Sequence, residues 1–221
     1  METDTLANSN NSYKKVGELL QQQGEYAREM GKAYLNAGAS KGFLGIGSKA
    51  SHGTKQRESI SSTAWNQARQ VLGNDFYKVS DGRMTGLFDL SYEKLVKLRD
   101  EATGFWSELH EDTRKYLEQV IESEEAWQEV QETRKEAMTG ISFESVRSSF
   151  LDMLMDMDSS TVDFADNFEK YMQRAMLNSM LSESYNERLR KWYDSFAEAM
   201  EEKTEWRTGQ GRRGRNRYKV T

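Results

Sequence analysis

The sequence predicts an all-α protein, with an elongated, coiled-coil-like N-terminal part and a compact C-terminal helical core. Three observations lead there. Proline is absent from all 221 residues, where average usage would give roughly eleven, and proline removes a helical donor and clashes with the preceding turn. Apolar residues recur every three or four positions in several long segments, and no segment of useful length alternates with the period of two that a strand needs. Hydrophobic content is 36%, charged content 30% and mean hydropathy −0.88, which suffices for helical stripes rather than for a thick globular core.

Residues 1–11 are polar and rich in Asn, Ser and Thr, and are expected to form a disordered lead-in. Residues 12–38 carry Tyr13, Val16, Leu20, Gln23, Ala27, Met30, Tyr34 and Ala37 at alternating spacings of three and four, the a/d pattern of a heptad-bearing helix. About three and a half heptads suit a coiled coil and a single amphipathic helix packed on the body equally well. Residues 39–54 form a glycine-rich hinge whose Phe43, Leu44 and Ile46 are expected to dock on the body. Gly42 and Gly47 have the spacing of a phosphate-binding loop. Ser48-Lys49 stands in reversed order, however, and a helix rather than a strand precedes it, so nucleotide binding is not expected.

Residues 55–138 form a helical middle region. Ile60, Ala64, Trp65, Ala68 and Leu72 share one helical side, and Gly73 stops that helix. Residues 78–90 read as a loop punctuated by Gly82 and Gly86. Ser91 is then placed to cap a helix bearing Leu95, Leu98 and Ala102, and Gly104-Phe105-Trp106 makes an aromatic corner. A long helix follows over about Asp112 to Met138, with Tyr116, Leu117, Val120, Ile121, Trp127, Val130 and Met138 on one side. Its glutamates, from Glu118 to Glu132, form a solvated face.

Residues 139–205 are expected to hold the compact core. Gly140 ends one helix in a left-handed conformation and Ser142 caps the next, which carries Val146, Phe150, Leu151, Leu154 and Met157. Ser160 with Asp163 then resembles a capping box. Beyond it Phe164, Phe168, Met172, Met176, Met180, Leu189, Trp192, Phe196 and Met200 follow helical spacing, as one helix or two. The methionines favour an irregular core or a protomer interface. Residues 206–221 form a basic flexible tail: Arg207 to Lys219 hold six basic residues and no acid, so the rest of the chain carries −11 within a formal total of −5.

Catalytic chemistry finds no support. Cysteine is absent, which excludes disulfides and thiolate metal sites. The only histidines, His52 and His110, have no nucleophile or metal ligand at motif spacing and read as surface residues. A calcium-loop register starting at Asp156 fails, because Thr161 occupies the glycine position and Asn167 that of the bidentate Glu. No apolar run is long enough for a membrane span and no secretory signal is read, so a soluble, cytoplasmically made protein is expected. The basic tail could neutralise phosphates without reading sequence, and sequence-specific nucleic-acid binding is not expected.

Several segments together resemble the C-terminal region of phage tail tape measure proteins of the gut-bacterial phage and prophage type. They are Gly45-Ile46-Gly47-Ser48-Lys49, Gly82-Arg83-Met84-Thr85-Gly86-Leu87 with Asp89-Leu90, Phe105-Trp106, Tyr116-Leu117-Glu118, Thr139-Gly140-Ile141-Ser142-Phe143, and above all Asp163-Phe164-Ala165-Asp166-Asn167-Phe168-Glu169 with Asn178-Ser179. The resemblance covers about residues 12 to 200. It implies a structural, non-enzymatic role: tail length determination, a scaffold for tube assembly, and passage of DNA at ejection. It also implies a homo-oligomer working with tail tube, tail tip and assembly chaperone proteins, located in the virion tail and in the host cytoplasm during assembly. No cofactor comes with it. Family members are longer upstream and continue in acidic helix where this chain turns basic, so a terminal fragment, a separately encoded piece or a degraded prophage gene is expected. The packing and assembly positions are Trp65, Phe105, Trp106, Trp127, Phe143, Phe150, Phe164, Phe168, Met172, Met176, Trp192 and Phe196. A rival reading is a helical adaptor that binds a partner through an apolar Met/Trp face.

Overall fold

The computed structural model describes residues 2–39, 49–157 and 183–208, and among them it contains helices and no strand. In chain order the helices are α1 (Glu2–Asn36), α2 (His52–Ser59), α3 (Ser62–Leu72), α4 (Phe76–Val79), α5 (Tyr92–Glu101), α6 (Thr103–Glu108), α7 (Glu111–Thr139), α8 (Phe143–Met157) and α9 (Glu183–Thr208), with short 3-10 turns at Gly73–Asp75 and Thr85–Asp89. The all-α expectation holds for these residues. The chain divides into two compact units, one of residues 1–15 and 130–221, the other of residues 16–129.

The helix boundaries follow local chemistry. Ser51, Ser61 and Ser91 each turn a side-chain oxygen to the backbone N–H three residues on, capping α2, α3 and α5. The single helix expected over 55–72 is therefore two: Ile60 adopts an extended conformation and is buried, and Ser61 restarts the helix. Gly38, Gly73 and Gly140 take positive φ at the ends of α1, α3 and α7. Beyond Gly140, Ser142 accepts from Ser145 N at 3.2 Å to open α8.

In the unit of residues 16–129, a buried cluster joins Ala27 and Leu35 of α1, Ile60, Ala64, Ala68 and Leu72 around α3, Leu95 and Leu98 of α5, Phe105 and Trp106 of α6, and Leu117, Val120 and Ile121 of α7. The stretch read as a loop from sequence supplies its centre. Val79, Met84, Leu87, Phe88 and Leu90 are all at most 2% exposed. Met84 reaches that position through a left-handed backbone (φ 58) that the Asp81 carboxylate holds by accepting from Arg83 N and Met84 N. Two glycines let the backbone close around it. A Cβ on Gly53 would lie 1.9 Å from the Arg83 carbonyl oxygen, and one on Gly86 2.0 Å from that of Lys78.

Among the described residues of the other unit, polar contacts link α1, α7 and α9. Helix α1 begins at Glu2, inside the stretch expected as a disordered lead-in, and Asn10 is only 3% exposed. Asn10 Nδ2 donates to Glu201 Oε1 (3.2 Å) while its Oδ1 accepts from Arg134 Nε (2.7 Å). Glu201 also pairs with Lys14 and Arg134. Beside Arg134 on α7, Lys135 pairs with Asp194 and Glu132 with Arg190. Among the described residues Met138, Tyr193 and Ala197 are buried here, and the Tyr193 hydroxyl donates to Ile141 O at 2.8 Å.

The compact core was expected after residue 139. Among the described residues the large apolar cluster lies between Ala27 and Ile121, and most apolar residues of the expected later core are not among them. Phe164, Phe168, Met172 and Met176, the Asp163–Glu169 stretch and the basic tail beyond Thr208 lie outside the described residues.

Candidate interaction surface

Helix α1 has two faces within the unit of residues 16–129. The inner one is small: Gly17, Ala27, Gly31 and Leu35 are buried and Gly24 is half-buried. An added Cβ at Gly31 would stand 2.1 Å from the Phe88 ring, and one at Gly24 3.4 Å from Ser123 Cβ on α7. Gly24 and Gly31, seven residues apart, thus let the helix lie close against its neighbours. Arg28 Nη1 donates to the carbonyls of Phe88 (2.6 Å) and Leu90 (3.0 Å), and Lys32 pairs with Asp89. Burial lowers the Arg28 pKa from its ordinary value, against the raising effect of Glu124, Asp89 and Glu25.

The outer face carries apolar side chains in solvent. Val16 is 45%, Leu19 63% and Tyr26 64% exposed, with Gln23 exposed and Met30 half-buried on the same side. Steps of three, four, three and four residues make this a heptad seam. The seam expected from sequence through positions 13, 16, 20, 23, 27, 30, 34 and 37 straddles the boundary between faces: Ala27 is buried, whereas Val16, Gln23 and Ala37 are exposed. Leu19 and Tyr26 stand outside that expected seam.

His52 and His110, far apart in sequence, meet around Tyr34. The Tyr34 hydroxyl lies 2.8 Å from His110 Nδ1, and the His52 ring sits edge-on to the Tyr34 ring at 4.7 Å. They line a cavity of about 320 Å³ with Lys55, Gln56, Ser59 and Glu108. Both histidines are exposed, as expected, but they are not isolated. Gln56 and Glu108 in this lining are committed to internal bonds. Gln56 Oε1 accepts from His110 N (2.9 Å) and Thr113 Oγ1 (2.8 Å), and Glu108 accepts from the Ser61 N–H and hydroxyl. Burial first, then the neighbouring Asp112 carboxylate, push the Tyr34 phenol up to about 12. This arrangement fastens α1 to the starts of α2 and α7.

The expected packing positions divide three ways. Phe105 and Trp106 are buried, and Trp65 packs on them half-buried, its ring 5.2 Å from Phe105 and 5.9 Å from Phe76. Trp127, Phe143 and Phe196 are half-buried, and Phe143 lies between the Tyr193 ring and the Arg190 guanidinium. Trp192 is 53% exposed and stacks on Phe196 with centroids 5.6 Å apart. Phe150 is on α8, with its side chain outside the described residues.

Among the described residues no group of acidic or histidine side chains is arranged to hold a metal ion, and no helix is long and apolar enough to cross a membrane. No family model, curated protein or solved structure matches the chain.

Proposed function

We propose that this chain is a structural component of a phage tail, a C-terminal segment of a tape measure protein that acts in tail length determination, tube assembly and DNA passage. The observation carrying this reading is the apolar heptad face of α1 held out in solvent at Val16, Leu19 and Tyr26. A face of this kind gains by burial against another helix, at about 25 cal/mol per Å² of apolar surface. The resemblance supplies the setting. Its segments Met84 to Leu87 and Phe105-Trp106 belong to the packed centre of one unit, which leaves the surface of α1 for assembly. In this role the chain self-associates and meets tail tube, tail tip and chaperone proteins in the virion and in the host cytoplasm during assembly.

Mass spectrometry of tail particles purified from the strain that carries the gene tests this directly. The chain is expected in fixed ratio to the tube protein. Its absence from intact tails overturns the assignment.

A second reading, a helical adaptor, is favoured by a separate feature: Trp192 stands in solvent on its Phe196 platform. Aromatic anchors of this kind dominate many interfaces. In that case Trp192→Ala abolishes partner capture without altering self-association, whereas an assembly role through α1 is untouched by it.

A further inference from the structure

The outer face of α1 is apolar at Val16, Leu19, Tyr26 and Met30, polar at Gln23, and flanked on its solvent side by Lys15, Gln22 and Glu29. With Val16, Gln23 and Met30 as a positions and Leu19 and Tyr26 as d positions, these three flanking residues are the g positions. The e positions are Leu20, Ala27 and Tyr34, which are buried or half-buried within the same protomer. Only the g side therefore remains free to set a partner's orientation.

That side carries a directional charge pattern, basic at Lys15, neutral at Gln22 and acidic at Glu29. In an antiparallel helix pair g faces g, and a twofold axis beside Gln22 sets Lys15 of each helix against Glu29 of the other. The same register places the small Val16 opposite the large Tyr26 and Leu19 opposite Gln23. In a parallel pair each g residue would face an e residue, and Leu20, Ala27 and Tyr34 carry no charge to answer Lys15 or Glu29. A polar residue at an a position, such as Gln23, costs stability but fixes register.

We propose that α1 pairs antiparallel with α1 of a second copy of this chain, across a twofold axis beside Gln22, with two Lys15 to Glu29 ion pairs closing the seam. This pairing rests on the assembly role proposed above and gives it an occupant and a geometry. The seam from Val16 to Met30 spans about 21 Å of helix, short enough that the dimer should be reversible and concentration-dependent rather than permanent.

The chain has no cysteine, so single substitutions in the full-length protein report the geometry. Gln22→Cys is expected to form a disulfide-linked dimer on mild oxidation, because the twofold axis brings the two copies of that position together. Gln23→Cys is expected to cross-link poorly, although in a parallel pair it would be the better of the two. By sedimentation equilibrium, Glu29→Lys should weaken dimerisation about tenfold, because it sets a second positive charge against Lys15. The double exchange Lys15→Glu with Glu29→Lys should restore it. Circular dichroism of the exposed-site variants should match that of the parent. Dominant cross-linking through position 23, failure of the double exchange to restore dimerisation, or a monomer at every accessible concentration overturns the pairing. The particle test keeps the two readings apart. A chain present in tails without position-22 cross-linking loses only this geometry, and a chain absent from tails that cross-links at position 22 loses only the tail role.

Discussion

Among the described residues the two compact units draw different contacts from the same two long helices. In the unit of residues 16–129, α1 and α7 contribute Gly31, Leu35, Leu117 and Ile121 to an apolar interior. In the other unit, the same helices contribute Asn10, Lys14, Arg134 and Lys135 to ionic and amide contacts with α9. Apolar packing responds to shape and scarcely to salt, whereas ion pairs weaken with ionic strength and follow pH. The units should therefore fail under different perturbations.

The largest expected effect tests shape. Gly31→Leu places a side chain where an added Cβ already lies 2.1 Å from the Phe88 ring. Phe88 is 1% exposed and cannot swing away into solvent. A loss of about 3 kcal/mol or more is expected, read as a lowered denaturation midpoint. Glycines with open surroundings give the contrast: Gly82→Ala, where nothing lies within 4 Å of the added atom, should leave the midpoint unchanged within about 0.5 kcal/mol.

The next effect falls on the polar unit. Glu201 and Arg134 are 19% and 18% exposed, so Glu201→Gln leaves the guanidinium partly buried without its counter-charge. That should cost about 1–3 kcal/mol locally, seen as faster hydrogen exchange in α9 peptides with α3 and α5 peptides unchanged. The pH dependence has the same origin. Burial acts to raise the Glu201 carboxyl, but hydrogen bonds from Lys14 and Asn10 and the charge of Arg134 hold it below the ordinary carboxylate range. A depressed folded value means stability that is complete above the ordinary value, about 4.3, and lost as pH falls through the folded one. Lys135 moves the other way: burial lowers it, yet Asp194 and Glu132 leave it raised. Its contribution is complete below the ordinary lysine value and lost as pH rises through the folded one. Protection of α9 amides, taken relative to their intrinsic exchange at each pH, should thus fall at both extremes.

How much of this was legible in the sequence depended on the kind of signal. Helix ends written by Ser61, Ser91, Gly140 and Ser142 follow from side-chain chemistry within three or four residues, although Ser61 was not recognised as the break between α2 and α3. The burial of residues 79–90 was not legible, because Met84 enters the core through a left-handed backbone set by Asp81, and short turns leave no period to read. The two faces of α1 were half legible. Apolar spacing marks Val16 and Met30, but glycine has no side chain to add to an apolar period, so the buried side leaves no such pattern. The sevenfold interval of Gly17, Gly24, Gly31 and Gly38 was the available clue. The meeting of His52 and His110 on Tyr34 had no local signal at all, since it depends on how α2 and α7 pack.

A smaller effect probes the boundary chemistry of the apolar unit. Ser61 caps α3 through Ala64 N at 3.2 Å and also donates to Glu108. Ser61→Ala should cost about 1 kcal/mol, as other lost caps do. Asn at that position should recover much of it.

The smallest effect is the most specific in pH. The Tyr34 phenol is pushed up to about 12 by burial and by Asp112, so the folded state favours its neutral form. A raised folded value means stability that is complete below the ordinary tyrosine value, about 10, and lost as pH rises from there through the folded one. Tyr34→Phe removes the titrating group while keeping the ring beside His52 and Tyr116. At neutral pH the variant should lose only about 0.5–1.5 kcal/mol, for the bond to His110 Nδ1. Between about pH 10 and about pH 12 its stability should fall less steeply than the parent's. A variant that is weaker at neutral pH yet declines in parallel with the parent would mean that Tyr34 fastens α1 through its ring packing and its bond to His110, with the alkaline loss residing in other groups whose folded values are raised, such as Tyr92 and Lys135.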